Sequence, residues 1–97
     1  GGMTILDVFR ELKGADGRVY LQRELELQSN SKRDELFFRV AVDRVVEQLT
    51  ETRFRIGKSL QIHLPPNGGI RTAKNGFELI LPFKGRTRAI IEYHWEQ

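Results

Sequence analysis

The chain has 97 residues, 16 Lys and Arg against 13 Asp and Glu, a formal net charge of +3 and no cysteine. The missing cysteine excludes disulfides, thiolate zinc sites and cysteine nucleophiles, and abundant Leu, Ile, Val and Phe with little net charge argue against disorder. No apolar run approaches the ~20 residues of a membrane-spanning helix, and nothing resembles a signal peptide.

Gly1-Gly2 before Met3 reads as a cloning remnant, which leaves residues 3–97 as a single globular domain. Thr4 and Asp7 form a variant capping box, and Ile5, Leu6, Phe9 and Leu12 recur at helical spacing. The spacing predicts a helix from Ile5 to Lys13, ended by Gly14, with a turn at Asp16-Gly17. From Arg18 to Gln28 the pattern alternates. Val19, Leu21, Leu25 and Leu27 share one face, and Tyr20, Gln22, Glu24, Glu26 and Gln28 the other. That is a strand with one wet face, interrupted by Arg23 on the apolar side.

Ser31 and Asp34 repeat the capping pattern after a Ser29–Ser31 loop. Beyond them Phe37, Phe38, Ala41, Val42, Val45, Val46 and Leu49 fall on one arc of a helical wheel, which predicts a second, longer helix packed on a sheet. After Thr52 the period becomes two. Phe54 and Ile56 alternate with Arg53 and Arg55, Gly57 breaks the run, and Leu60, Ile62 and Leu64 alternate with Gln61 and His63. Pro65-Pro66 and Asn67-Gly68-Gly69 make a turn. Asn75-Gly76 signals a hairpin joining Ile70–Lys74 to Phe77–Phe83. In the last strand Ala89, Ile91, Tyr93 and Trp95 alternate with Ile90, Glu92 and His94. A five-residue loop, Lys84 to Arg88, would pair Phe83 with Ala89 and set Glu78 opposite His94, avoiding a Glu78–Glu92 pair.

The expected fold is therefore α+β, in the order α-β-α-β-β-β-β, with two helices packed on one face of a mainly antiparallel sheet. The alternative is a winged helix-turn-helix, with helices at Gln22–Gln28 and Lys32–Thr52 and wing strands at Leu60–Leu64 and Phe77–Phe83.

The charge is uneven. Residues 1–50 carry eight basic and nine acidic side chains, whereas residues 51–97 carry eight basic and four acidic. The excess gathers at turns: Arg53, Arg55 and Lys58 around Gly57, Arg71 and Lys74 beside Asn75-Gly76, and Lys84, Arg86 and Arg88 before the last strand. Such groups can grip phosphate, as Arg does in a two-pronged fork, or simply confer solubility and guard strand edges. The aromatics Phe77, Phe83, Tyr93 and Trp95 share parity with Leu79, Leu81 and Ile91, so they belong to the core and offer no base-stacking platform. Ile80, Ile90, His63 and His94 fall on the opposite, outward parity, where a partner could cover them. The two histidines could serve metal-independent acid–base cleavage of RNA, but they lie on different strands. A two-histidine metal site lacks an evident third ligand, so no metal or cofactor is assigned.

The sequence points to a small, cytoplasmic, non-enzymatic domain that acts in protein interaction or self-assembly, through the face around Ile80 and Ile90 or through an open sheet edge, with no membrane role. The alternative is a DNA- or RNA-binding module using the eight basic residues, and the third reading is a ribonuclease.

Overall fold

The computed structural model describes residues 3–29 and 35–96, and for Met3 and Thr4 the backbone alone. Among the described residues nine strands run in chain order: β1 (Met3–Lys13), β2 (Val19–Ser29), β3 (Leu36–Asp43), β4 (Val46–Gln48), β5 (Arg53–Ile56), β6 (Leu60–His63), β7 (Gly69–Ala73), β8 (Gly76–Phe83) and β9 (Arg86–Trp95). Among the described residues there is no helix, and so none long and apolar enough to cross a membrane. The expected α+β architecture and its winged-helix alternative are both overturned. The fold is all-β, with a six-stranded sheet ordered β1-β2-β9-β6-β5-β4 and a three-stranded sheet ordered β3-β8-β7. Every pairing among the described residues is antiparallel.

One core joins the two sheets face to face. Leu25, Leu27, Phe54, Ile62, Leu64, Ala89 and Ile91 from the larger sheet and its flank pack with Leu79, Leu81 and Phe83 from the smaller. These residues hold the alternating positions of β2, β5, β6, β8 and β9, as period-two patterning requires when one face is buried.

The two expected helices are strands for different reasons. Ile5–Lys13 lies within β1, which pairs with β2 from Met3↔Ser29 to Lys13↔Val19. Asp7 caps nothing; both its oxygens bind the Arg23 guanidinium. The stretch expected as the long helix holds β3, a tight turn and β4. In β3 the register slips between Arg39 and Ala41, a bulge that changes which parity faces the core. Asp43 Oδ1 then accepts the Val45 N–H at 3.0 Å, turning the chain into β4. The Ser31–Asp34 capping pattern lies outside the described residues.

The β7–β8 hairpin forms, with Ala73 opposite Gly76 and Lys74-Asn75 at its tip, one residue earlier than the Asn75-Gly76 signal suggests. Its last glycine is packed in place, because a Cβ on Gly76 would lie 2.5 Å from the Asp43 carbonyl oxygen. The expected β8–β9 hairpin does not exist. β8 belongs to the small sheet and β9 to the large one, and Lys84-Gly85 carries the chain across. Glu78 therefore faces Arg71 and Arg39 rather than His94.

Arg23, the residue interrupting the apolar face of β2, ties the sheets together. Its guanidinium donates to both Asp7 oxygens at 2.8 and 2.6 Å and to the Tyr93 hydroxyl at 3.1 Å. It also lies 5.0 Å from the ring centres of both Phe9 on β1 and Phe38 on β3. A cation between two aromatic faces is attracted to both ring quadrupoles. The Asp7 contact, with the Tyr93 contact behind it, holds the guanidinium protonated more firmly than usual, against the opposing effect of burial.

Candidate functional site

Three surfaces follow from this frame: the basic turns, the outer face of the large sheet and the open edge at β1.

The eight basic residues do not converge. Ser29 N–H bonds Gly85 O, which places Lys84 at the C-terminal end of β2. The β5–β6 turn lies at the other end of β9, where Leu60 pairs with Trp95. Between these ends β9 runs ten residues, a length of roughly 33 Å. The β7–β8 turn shares the β5–β6 end, since Gly76 packs on Asp43 and Arg44 while Gly57 N–H bonds Val45 O. Four of the eight are held by carboxylates. Arg55 pairs with Glu96 and Glu47, Arg71 with Glu78, Arg86 with Glu26 and Arg88 with Glu24. Arg88 holds the Glu24 carboxyl below the usual range, and Arg71 followed by Arg39 does the same for Glu78. Arg53, Lys58, Lys74 and Lys84 have no ion pair among the described residues.

The outward parity of Ile80, Ile90, His63 and His94 holds, but they do not share one surface. Ile80 is on the outer side of the small sheet, whereas Ile90, His63 and His94 are on the outer side of the large one. There the two histidines meet. His63 on β6 lies opposite Glu92 on β9, and Gln61 opposite His94, so the two rings are diagonal neighbours. Their centroids are 4.3 Å apart with planes at 18°, and Tyr20 stacks on the far side of His94 at 4.5 Å. Glu92 Oε1 lies 2.9 Å from His94 Nε2 and 3.7 Å from His63 Nδ1. Burial, then the neighbouring His94 and Arg53, lowers the His63 pKa below its ordinary value against the opposing pull of Glu92.

The third surface is the edge of the large sheet at β1. β1 is an edge strand of eleven residues without a bulge. The small sheet does not extend over it, and Ile5, Leu6, Val8 and Phe9 are 39, 59, 48 and 53% exposed, on alternating faces. The other three edges are blunted: β4 has three residues, β7 has five and β3 is bulged.

The hydrogen-bond phase of this edge is fixed. Gly14 N–H bonds Arg18 O, and Ser29 N–H points to Gly85 on the β9 side. Bonds alternate along an antiparallel pair. The even-numbered residues of β1 therefore bond to β2, and Ile5, Asp7, Phe9 and Glu11 direct their N–H and C=O groups outward. The sequence signal for this edge is the apolar run Ile5–Phe9, broken only by Asp7, ahead of the Asp16-Gly17 turn, which reads equally as a hairpin arm. Glu92 could have been found from its place two residues before His94, on the same parity.

Comparison of the chain with protein-family models, with curated proteins and with solved structures gave no match.

Proposed function

We propose that this domain is a protein-assembly module that self-associates by pairing β1 with β1 of a second copy, extending the large sheet across the interface. The observation that carries this reading is the long, unbulged edge of β1, with four outward-directed backbone positions and exposed Ile5, Leu6, Val8 and Phe9; the one inward-pointing charge in its N-terminal half, Asp7, is neutralised by Arg23.

The sequence of β1 selects a register. A two-fold axis perpendicular to the sheet pairs residues of equal parity. With the axis at Asp7, Ile5 lies opposite the second copy's Phe9 on the inner face, and Leu6 opposite its Val8 on the outer face, each pair occurring twice. Moving the axis to Val8 sets Leu6 against Arg10 and Ile5 against Glu11. Moving it to Phe9 sets Asp7 against Glu11, a like-charge pair. At the preferred register the two Asp7 side chains approach, but each is already bonded through both oxygens to its own Arg23. We place this assembly in the cytoplasm, a compartment that the cysteine-free composition suits.

The other readings have less support. Phosphate tracking needs basic groups on one face, whereas these sit at two ends and half are paired. Acid–base cleavage of RNA needs a histidine on each side of the scissile phosphate, and rings stacked at 4.3 Å leave no room between them.

Sedimentation equilibrium from micromolar to millimolar protein tests the proposal. A dimer is expected for the parent chain. Ile5→Pro removes one outward N–H and spares the β1–β2 bonds, and Val8→Lys places a charge opposite Leu6; each should give a folded monomer. A parent chain that stays monomeric over the whole range overturns the reading.

A further inference from the structure

We propose that His63, Glu92 and His94 form a binding site for a divalent transition-metal ion, with zinc the ion that the donor set fits. One ligand atom from each side chain lies within 4.8 Å of the other two. Ligands at ~2.1 Å around a tetrahedral zinc are roughly 3.4 Å from one another. The spacings from Glu92 Oε1, 2.9 Å to His94 and 3.7 Å to His63, bracket that value. Two imidazoles and a carboxylate leave one coordination position, which here faces the solvent side of the sheet. Such a set is typical of zinc centres that keep an exchangeable water.

The scaffold is rigid where a site needs it to be. Glu92 and His94 are alternate residues of β9, His63 lies directly opposite Glu92 on β6, and both strands are interior to the large sheet. The rings must move a little, because planes at 18° run their lone pairs side by side. Rotation about the Cβ–Cγ bonds makes the nitrogens converge, and χ2 of histidine is a broad torsion. Arg53, across from His63 on β5, opposes the ion's charge.

The site is separated from the β1 edge by β2, so it does not depend on the assembly reading. Calorimetric titration of the full chain, free of any histidine tag, with zinc chloride provides the test. One zinc per chain is expected, with the His63 and His94 ring signals shifted in heteronuclear NMR. His94→Gln and Glu92→Gln should each weaken binding by about tenfold or more while leaving the zinc-free circular dichroism unchanged. Arg53→Gln should tighten binding, and Val8→Lys should not change it. Absence of binding by the parent, or equal binding by His94→Gln, overturns the proposal.

Discussion

Replacing Arg23 by Ala removes the group that fastens β1 to both sheets. The Arg23 side chain is 15% exposed and that of Asp7 29%, so their charge-assisted bonds are partly shielded from water. Bonds of this kind contribute ~1.5–3 kcal/mol, and partial exposure of Asp7 favours the lower end of that range. Each aromatic contact at 5.0 Å adds ~0.5–1 kcal/mol. The expected loss is about 3 kcal/mol, which for a domain of this size lowers Tm by about 15 °C. Urea denaturation gives the free energy directly. A double-mutant cycle with Asp7→Ala should return a coupling of ~1.5 kcal/mol. The β1 amides of Val8 and Arg10 should lose hydrogen-exchange protection before those of β9 do. A loss under ~1 kcal/mol, or a coupling under ~0.5 kcal/mol, would refute the clamp.

Gly76→Ala should destabilise the fold by about 2–4 kcal/mol in the same denaturation assay, because its Cβ meets the Asp43 carbonyl oxygen and Arg44 Cα with a φ of 155°. Gly17→Ala, at φ 83° in open space, should cost only about 1 kcal/mol; equal costs would mean that the Gly76 packing is not felt. The lowered His63 pKa makes the unfolded chain bind the proton more readily, so stability should fall as pH drops from the ordinary histidine value of 6.5 through the lower folded one. His63→Gln should flatten thermal melts across that window only. Glu78, Glu24 and Glu96 are lowered too. Their stabilisation is present above the ordinary carboxyl value of 4.5 and is lost as pH falls through the folded values, so Glu78→Gln should blunt the acid limb alone.

Much of the β-structure could be read because a strand buried on one face must alternate. The inward parity of Leu25, Leu27, Phe54, Ile62, Leu79, Leu81, Ala89 and Ile91 was legible for that reason alone. The same rule explains what could not be read. β1 is exposed on both faces, so burial imposes no period on it, and Ile5, Leu6, Phe9 and Leu12 imitate a helix by chance. In β3 the bulge between Arg39 and Ala41 breaks the alternation midway, and the shifted phases of Phe38 and Ala41 fall together on one helical arc. The β8–β9 register argument compared strands of one hairpin, but parity states which way a side chain faces and not which sheet its strand joins. The meeting of His63 with His94 depended on β6 pairing with β9 across two intervening strands, β7 and β8, which no local pattern encodes. The β1 edge and the histidine face were thus visible only as parts.

The chain order of the large sheet also bears on how the protein is made. β2 has only two neighbours, β1 and β9, and β9 is the last strand in the sequence. Arg23 meets Tyr93 across 70 residues, so the first hairpin can form early but cannot be closed into the sheet until β9 arrives. Loop closure of that length is slow to be repaid. During synthesis both edges of the β1–β2 hairpin are open, and Leu25 and Leu27 lack their cover. An early encounter with a second hairpin of the same kind would then compete with folding. Circular permutation that joins β9 directly ahead of β1 would shorten the wait, and should speed refolding more than it changes stability.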